Sequence, residues 1–150
     1  MARRQARELA FRTLFQAGRS NTPVQDVWQY MKDDLADNDE TELEEVFGPR
    51  LEEEDIRFAE TLVTSYADNQ EEIDEALAKA VEGWTFSQMA QTDLNVLRLA
   101  LTELSYEEAT PHEVIIEIAV RIAKKYGGEE SGRFVNGVLA RAVRAKATSS

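Results

Sequence analysis

The sequence has no cysteine and only one histidine, His112, among its 150 residues. The lack of cysteine excludes disulfide bonds and thiolate metal sites, and a single imidazole cannot complete the usual zinc or copper ligand sets. No stretch approaches the roughly 18 uninterrupted apolar residues of a membrane span, and the basic N-terminus is not followed by the apolar block of a signal peptide. We therefore expect a soluble, cytoplasmic protein with no metal and no cofactor.

Proline and glycine are also scarce, with three prolines and seven glycines. Because runs of alternating β-branched residues are few, the sequence favours an all-α fold over a sandwich or a barrel. Apolar residues recur at helical spacing over residues 3–18, 22–35, 56–66, 73–81 and 94–104. Boundary signals indicate two more helices, one between Thr110-Pro111 and the Gly127-Gly128 pair, the other after Ser131 as its cap.

These signals predict one all-helical domain of about seven helices over residues 1–146, followed by a polar tail over residues 147–150. Acidic residues crowd positions 33–55, where Arg50 is the only cation. We interpret this segment as a solvated acidic loop with one short helix around Leu43 to Phe47. Thr85 and Gln88 have the spacing of a capping box, which predicts another short helix.

Positive charge is rare but concentrated at the two ends of the chain. The formal net charge is −12, yet the first 20 residues hold five arginines against Glu8 alone. RNA responds to the potential within about 8 Å at physiological salt, so a negative total does not forbid RNA binding. We predict that Arg3, Arg4 and Arg7 form a phosphate-binding edge on the first helix, reinforced by Arg133 if the last helix lies beside it.

Two aromatic residues, Phe11 and Phe15, continue the stripe of Arg4 and Arg7 along the same helix. They belong either to the hydrophobic core or to a surface for a partner. A homodimer that buries Arg4, Arg7 and Phe11 would block the basic edge.

No set of residues has the pattern of an active site. The carboxylates of residues 33–55 lack the apolar surroundings that would raise a pKa for acid–base work. His112 lies just inside a predicted helix start, and the glycines match neither phosphate-binding loop pattern. We therefore predict no catalytic residues and no enzymatic activity.

The segment RFVNGVL places Asn136-Gly137 inside the predicted last helix. A mid-helix glycine costs about 1 kcal/mol relative to alanine, which suggests that another group approaches the backbone closely. That group is either a neighbouring helix or a nucleotide. In the second case Asn136 would offer its amide, Phe134 a stacking surface and Arg133 a charge.

Several motifs together resemble the NusB family of transcription antitermination factors. They are the Arg3-Arg4-x-Ala6-Arg7-Glu8 start, VLRLALTEL at 96–104, Pro111 with EVIIEIA, AKKYGGEESGRFVNGVL at 123–139, and Trp84 ahead of them. The resemblance implies two small helical bundles and no catalytic activity. It also implies pairing with NusE, which doubles as a small-subunit ribosomal protein. The pair would bind boxA RNA and load onto the elongating RNA polymerase complex that transcribes ribosomal RNA.

The resemblance also assigns roles to single residues. Arg3, Arg4 and Arg7 resemble the RNA-binding segment of the family, and Phe134 and Asn136 fall in the motif that adjoins the RNA. Asp93 matches an acidic position on the NusE-facing surface, and Phe15 matches an aromatic position near it. Two other functions remain open at this stage: the RNA-recognition domain of a ribosomal RNA methyltransferase, and a protein-only helical adaptor.

Overall fold

The structure is a computed structural model that describes residues 3–37, 51–107 and 109–149. These ranges contain seven α-helices, one 3₁₀ turn and no strand, so the predicted all-α class is confirmed. The helices are α1 (Arg4–Ser20), α2 (Val24–Asp37), α3 (Glu53–Asp68), α4 (Gln70–Ala80), α5 (Gln91–Tyr106), α6 (His112–Gly127) and α7 (Glu129–Ser149). Within the described ranges, no helix has the length and apolar character needed to cross a membrane.

The helices form two compact units, as the resemblance implied. The N-terminal unit, Arg3–Asp68, contains α1 to α3, and the C-terminal unit, Asn69–Ser150, contains α4 to α7.

In the N-terminal unit, α1 packs against both α2 and α3, which also pack against each other. The buried apolar residues include Leu9, Leu14, Trp28, Leu62 and Tyr66. Asn21 ends α1 in the left-handed conformation, with φ 53°, and its N–H donates to the carbonyl of Ala17. Asparagine tolerates this conformation better than most residues, which explains why α1 stops here and not at Gly18.

In the C-terminal unit, α5 packs against α4, α6 and α7. Its leucines lie on the buried faces that the helical spacing predicted, so the expected central position of this helix is confirmed. Arg98 of α5 forms a two-pronged ion pair with Asp74 of α4, with Nε 3.0 Å from Oδ1 and Nη2 3.2 Å from Oδ2. The Arg98 guanidinium carbon also lies 5.5 Å from the centre of the Phe86 ring.

Several predicted boundaries differ from the structure. Residues 33–37 belong to α2 and residues 53–55 to α3, so the ends of the supposed acidic loop are helical. The short helix expected around Leu43 to Phe47 lies outside the described residues. The last helix begins at Glu129 rather than after Ser131, whose hydroxyl donates to the carbonyl of Gly127, and it continues into the supposed tail as far as Ser149.

The Thr85–Gln88 capping box is confirmed around a 3₁₀ turn, Phe86–Gln88. The Thr85 N–H donates to Gln88 Oε1 at 2.9 Å. This hydrogen bond stabilises the segment that connects α4 to α5.

Candidate nucleic-acid interface

The N-terminal arginines differ sharply in their surroundings. Arg3 Nη2 lies 2.9 Å from Glu54 Oε2, and Arg3 Nη1 lies 2.9 Å from Asp55 Oδ1. The hydrogen bond to Glu54 is the main cause that raises the pKa of the Arg3 guanidinium, with the bond to Asp55 adding to it against the effect of burial. Two carboxylates at the start of α3 therefore already neutralise the cation that was predicted to face phosphate.

Arg7 is buried, with 3% of its surface exposed, and its guanidinium carbon lies 5.0 Å from the centre of the Phe58 ring. The prediction that Arg7 forms part of an exposed phosphate-binding edge is therefore wrong for this structure. Phe11 is buried too. Arg7 and Phe11 therefore do not form an exposed stripe that a homodimer could cover. Arg4 remains partly exposed, with Nη1 3.5 Å from Glu8 Oε2.

The C-terminal unit carries a separate basic surface on α7. Arg133, Asn136, Arg141 and Arg144 are exposed, while Val135, Val138 and Leu139 are buried on the opposite side of the helix. We call the exposed side the α7 face. Phe134 is half-buried at one edge of this face.

Gly137 lies within the α7 face and leaves a shallow depression there, because it has no side chain. A Cβ atom built there would have a single described neighbour within 4 Å, the Arg141 Nη1 at 3.6 Å. Within the described ranges, no neighbouring helix therefore accounts for this glycine. By contrast, a Cβ on Gly132 would lie 2.6 Å from Lys124 Cγ, so that glycine does serve packing.

Trp84 extends the aromatic edge of the α7 face. Its ring meets the Phe134 ring edge to face, with 5.7 Å between centroids and an interplanar angle of 67°. Gly83, at φ +83°, and the hydrogen bond from Trp84 N–H to the Val81 carbonyl form the turn that presents this ring. Sequence reasoning used Trp84 only as a family marker, because nothing local reveals that it meets Phe134.

Arg141 was also missed as a functional candidate. It follows Phe134 by seven positions, which places both residues on nearly the same side of the helix, with Gly137 between them. Its Nε donates to the carbonyl of Ala80 at 3.4 Å, so the side chain reaches the turn that leads to Trp84. The i, i+3, i+7 spacing is the sequence signal that could have found this group.

The two predicted protein-facing residues lie in different units. Phe15 is half-buried on α1, with its ring centroid 5.9 Å from that of Phe11. Asp93 is the third residue of α5, and its Oδ1 atom is buried with no hydrogen-bond partner among the described residues. A buried carboxylate oxygen without a donor is costly, which makes Asp93 a candidate for an external donor.

The predicted site residues are thus divided between the units: Arg3, Arg4, Arg7 and Phe15 in one, and Asp93, Arg133, Phe134 and Asn136 in the other. Within the described residues, no group of three or more His, Cys, Asp or Glu side chains could hold a metal ion. The geometry defines a class of protein: an all-helical protein that carries exposed cations, an amide and aromatic rings on its last helix and the turn beside it.

The NusB family model matches residues 4–144, and the chain belongs to the NusB family. The resemblance drawn from the sequence motifs is therefore confirmed. A curated relative from Thermus thermophilus, named transcription antitermination protein NusB, is 47% identical over 142 residues. The match covers 95% of this chain and 90% of that relative.

Solved structures show the same architecture. The chain matches NusB from T. maritima with a TM-score of 0.78 and 32% identity, over 96% of this chain and 92% of that one. It also matches a chain in the crystal structure of antitermination factors NusB and NusE in complex with dsRNA. That match has a TM-score of 0.79 and 23% identity over 96% of this chain and 97% of the other, and it establishes the fold alone.

Proposed function

We propose that this protein is a transcription antitermination factor that binds boxA-type RNA together with NusE. In this role it joins the elongating RNA polymerase complex and supports transcription of ribosomal RNA. The proposal rests on membership of the NusB family and on the antitermination function for which its Thermus relative is named. It assigns a binding role and no reaction.

The α7 face is the observation that carries the RNA-binding part of the proposal. The whole chain has a formal net charge of −12, but this face presents Arg133, Arg141 and Arg144 beside the amide of Asn136. Phosphates respond to such a local surface, and the acidic remainder of the chain repels RNA that lacks specific contacts. Arg133, Phe134 and Asn136 are the proposed RNA-binding residues on α7.

The N-terminal segment makes a smaller proposed contribution. Arg4 is a partly exposed cation there, and Arg3 contributes after exchange of its Glu54 and Asp55 partners. Arg7, buried against Phe58, supports α1 and thereby the position of its neighbours. Changing Arg7 to alanine would test folding before it tests RNA binding.

NusE is the proposed partner for Asp93 and Phe15. A cation or an N–H group of the partner would supply the hydrogen bond that Asp93 Oδ1 lacks among the described residues. The half-buried ring of Phe15 offers apolar area for the same partner.

The RNA-binding proposal is tested by fluorescence anisotropy. A short labelled boxA-type RNA is titrated with the protein alone and with purified NusE, against a scrambled RNA of equal length. We expect tighter and sequence-selective binding when NusE is present. Equal and weak binding to both RNAs under all conditions would overturn the proposal in favour of a protein-only adaptor.

The partner surface is tested with the Asp93→Asn variant, which keeps the shape of the side chain and removes its charge. We expect the affinity for NusE, measured by calorimetry, to fall about 5- to 100-fold. Glu113→Gln is the matched control, because Glu113 is an exposed acid in the first turn of α6. Equal effects of the two substitutions would remove Asp93 from the proposed interface.

A further inference from the structure

A cleft of about 660 Å³ lies in the C-terminal unit between α4 and α7. Leu101 and Leu104 of α5 are buried and form its apolar floor. Four alanines are among the residues that line its two walls: Ala76, Ala80, Ala142 and Ala145. Small side chains at these places let another element approach the backbones of α4 and α7 closely, so the cleft has the shape of a docking groove.

The two walls of this cleft carry opposite charge. The α4 side is lined by three acids and one cation: Glu72, Glu75, Glu82 and Lys79. The Lys79 ammonium lies 3.7 Å from the Glu75 carboxylate, so part of its charge is compensated on the same wall. The α7 side is lined by two cations, Arg141 and Lys146, and by no acid among the described residues. A ligand that matches the cleft must therefore carry positive charge along one edge and negative charge along the other.

Hydrogen bonds connect the walls to the ends of neighbouring helices. Lys146 Nζ donates to the carbonyl of Leu104 at 3.0 Å, and Arg141 Nε donates to the carbonyl of Ala80 at 3.4 Å. These carbonyls lie in the last turns of α5 and α4, where a cation is favourable. The contacts join α7 to both other helices that line the cleft, so its shape is already formed without a ligand.

A helix suits this cleft better than an extended peptide does. An extended peptide over the leucine floor would bury backbone N–H and C=O groups, and the surrounding helices already pair most of their own groups internally. A helix pairs its backbone groups within itself. The α4 wall from Glu72 to Ala80 is about 12 Å long, which corresponds to roughly two helical turns.

We propose that this cleft binds an amphipathic helix of a partner protein, with basic residues along one side of its apolar stripe and acidic residues along the other. The stripe lies on Leu101 and Leu104, the basic side faces the acids of α4, and the acidic side faces the cations of α7. The inference goes beyond RNA and NusE binding. Arg141 is shared with the α7 face, but Arg133, Phe134 and Asn136 do not line the cleft.

Three labelled helical peptides with the same leucine stripe serve as probes in fluorescence anisotropy. The first carries lysines along one side of the stripe and glutamates along the other, whereas the second carries only lysines and the third only glutamates. We expect the first peptide to bind about tenfold more tightly than the other two, because each of those places like charges against one wall.

Filling the cleft should abolish this binding. We expect Ala76→Trp to weaken binding of the first peptide more than about tenfold, because the indole would occupy the space of the apolar stripe. Ala78→Trp is the matched control, since Ala78 is also an exposed alanine of α4 but does not line the cleft. Circular dichroism checks that both variants remain folded.

Reversing one charge should change the preference between the peptides. Glu75→Lys makes the α4 wall more basic, so we expect weaker binding of the first peptide and tighter binding of the all-glutamate peptide. Glu71→Lys is the control, because it changes the net charge equally from an exposed position on α4 outside the cleft.

Other results would overturn the inference. Equal affinity for the three peptides, no binding of any of them, or equal effects of Ala76→Trp and Ala78→Trp would each do so. Self-association of the protein in sedimentation that Ala76→Trp alone abolishes would assign the cleft to a second copy of this chain. Loss of NusE binding in Ala76→Trp alone would assign it to NusE. If the protein binds no RNA with or without NusE but binds the first peptide as expected, the proposed function fails and this inference stands.

Discussion

Arg7 occupies a position that the sequence alone assigned to the surface. Its side chain is nearly fully buried and stacks over Phe58 of α3. A guanidinium is more weakly hydrated than an ammonium group and interacts well with aromatic faces, so burial costs arginine less than it would cost lysine. The alternation of arginine and phenylalanine along α1 is therefore in part a packing pattern.

Replacing Gly137 with alanine is expected to change stability and RNA binding in opposite directions. Because a Cβ atom fits there, Gly137→Ala should raise the free energy of unfolding by about 0.5–1 kcal/mol, through the better helix propensity of alanine and the smaller entropy of the unfolded chain. The same methyl group would stand on the α7 face that we propose binds RNA, so the affinity for RNA should fall. Denaturant unfolding and RNA anisotropy measure the two effects.

The matched control is Gly132→Ala, whose methyl group would displace Lys124 and should therefore stabilise less or destabilise. A Gly137→Ala protein that is more stable and binds RNA with unchanged affinity would show that nothing approaches this glycine.

At the scale of elements, α2 and α3 are joined by a partly buried polar contact. The indole N–H of Trp28 donates to Glu60 Oε2 at 2.6 Å, and Lys32 Nζ lies 3.3 Å from the same oxygen. The Trp28 hydrogen bond, followed by Lys32, holds the pKa of Glu60 below its usual value of 4.5. The contact thus favours the ionised carboxylate in the folded state.

This contact gives stability a defined dependence on pH. Because the pKa of Glu60 is lower in the folded than in the unfolded chain, its contribution is present above pH 4.5 and is lost as the pH falls through the folded-state pKa. We expect the stability difference between the unmodified protein and Glu60→Gln to shrink between about pH 6 and pH 3. Urea unfolding followed by circular dichroism across this range measures it.

Removing the acceptor altogether should cost more. Glu60→Ala leaves the buried Trp28 N–H without this partner, and we expect a loss of about 1–3 kcal/mol at pH 7. Lys32→Gln, which removes only the exposed cation, should change stability by less than about 1 kcal/mol. Equal losses in Glu60→Ala and Lys32→Gln would mean that the ion pair, and not the indole hydrogen bond, joins the two helices.

At the scale of the molecule, an acidic chain carries exposed cations on α7 and partly exposed cations at the head of α1. Among the latter, Arg3 is held by acids of α3: it pairs with Glu54 and Asp55, and Asp55 also accepts a hydrogen bond from the Glu52 N–H. Asp55 therefore caps α3 as well as pairing with Arg3. Glu54 is the exposed acid whose removal releases charge without removing that cap.

We therefore predict that Glu54→Gln tightens RNA binding about two- to fivefold, because Arg3 loses a competitor for phosphate worth no more than about 1 kcal/mol. Glu53→Gln is the control, since it changes the net charge equally from the neighbouring exposed position. Anisotropy at several salt concentrations compares the two variants. An identical response of both would mean that only the total charge matters and that Arg3 does not touch RNA.

Much of the fold followed from local patterns. The leucine spacing located α5, the Thr85–Gln88 pair located the 3₁₀ turn, and Gly127-Gly128 located the end of α6. These features depend on residues three or four positions apart, which the sequence displays directly. The start of α7 was misplaced because Ser131 resembles a cap, although its hydroxyl bonds back to Gly127 inside continuous helical structure.

By itself, the sequence determined the all-helical class, the membership of the NusB family and the residue types available for binding RNA. Only the tertiary structure decided which of those residues are accessible. In the tertiary structure Arg7 is buried and Arg3 pairs with acids of α3. Gly137 has space for a Cβ atom, and the Trp84 ring contacts the Phe134 ring. Helical periodicity fixes the relative directions of side chains on one helix, whereas their exposure depends on distant segments that pack against it.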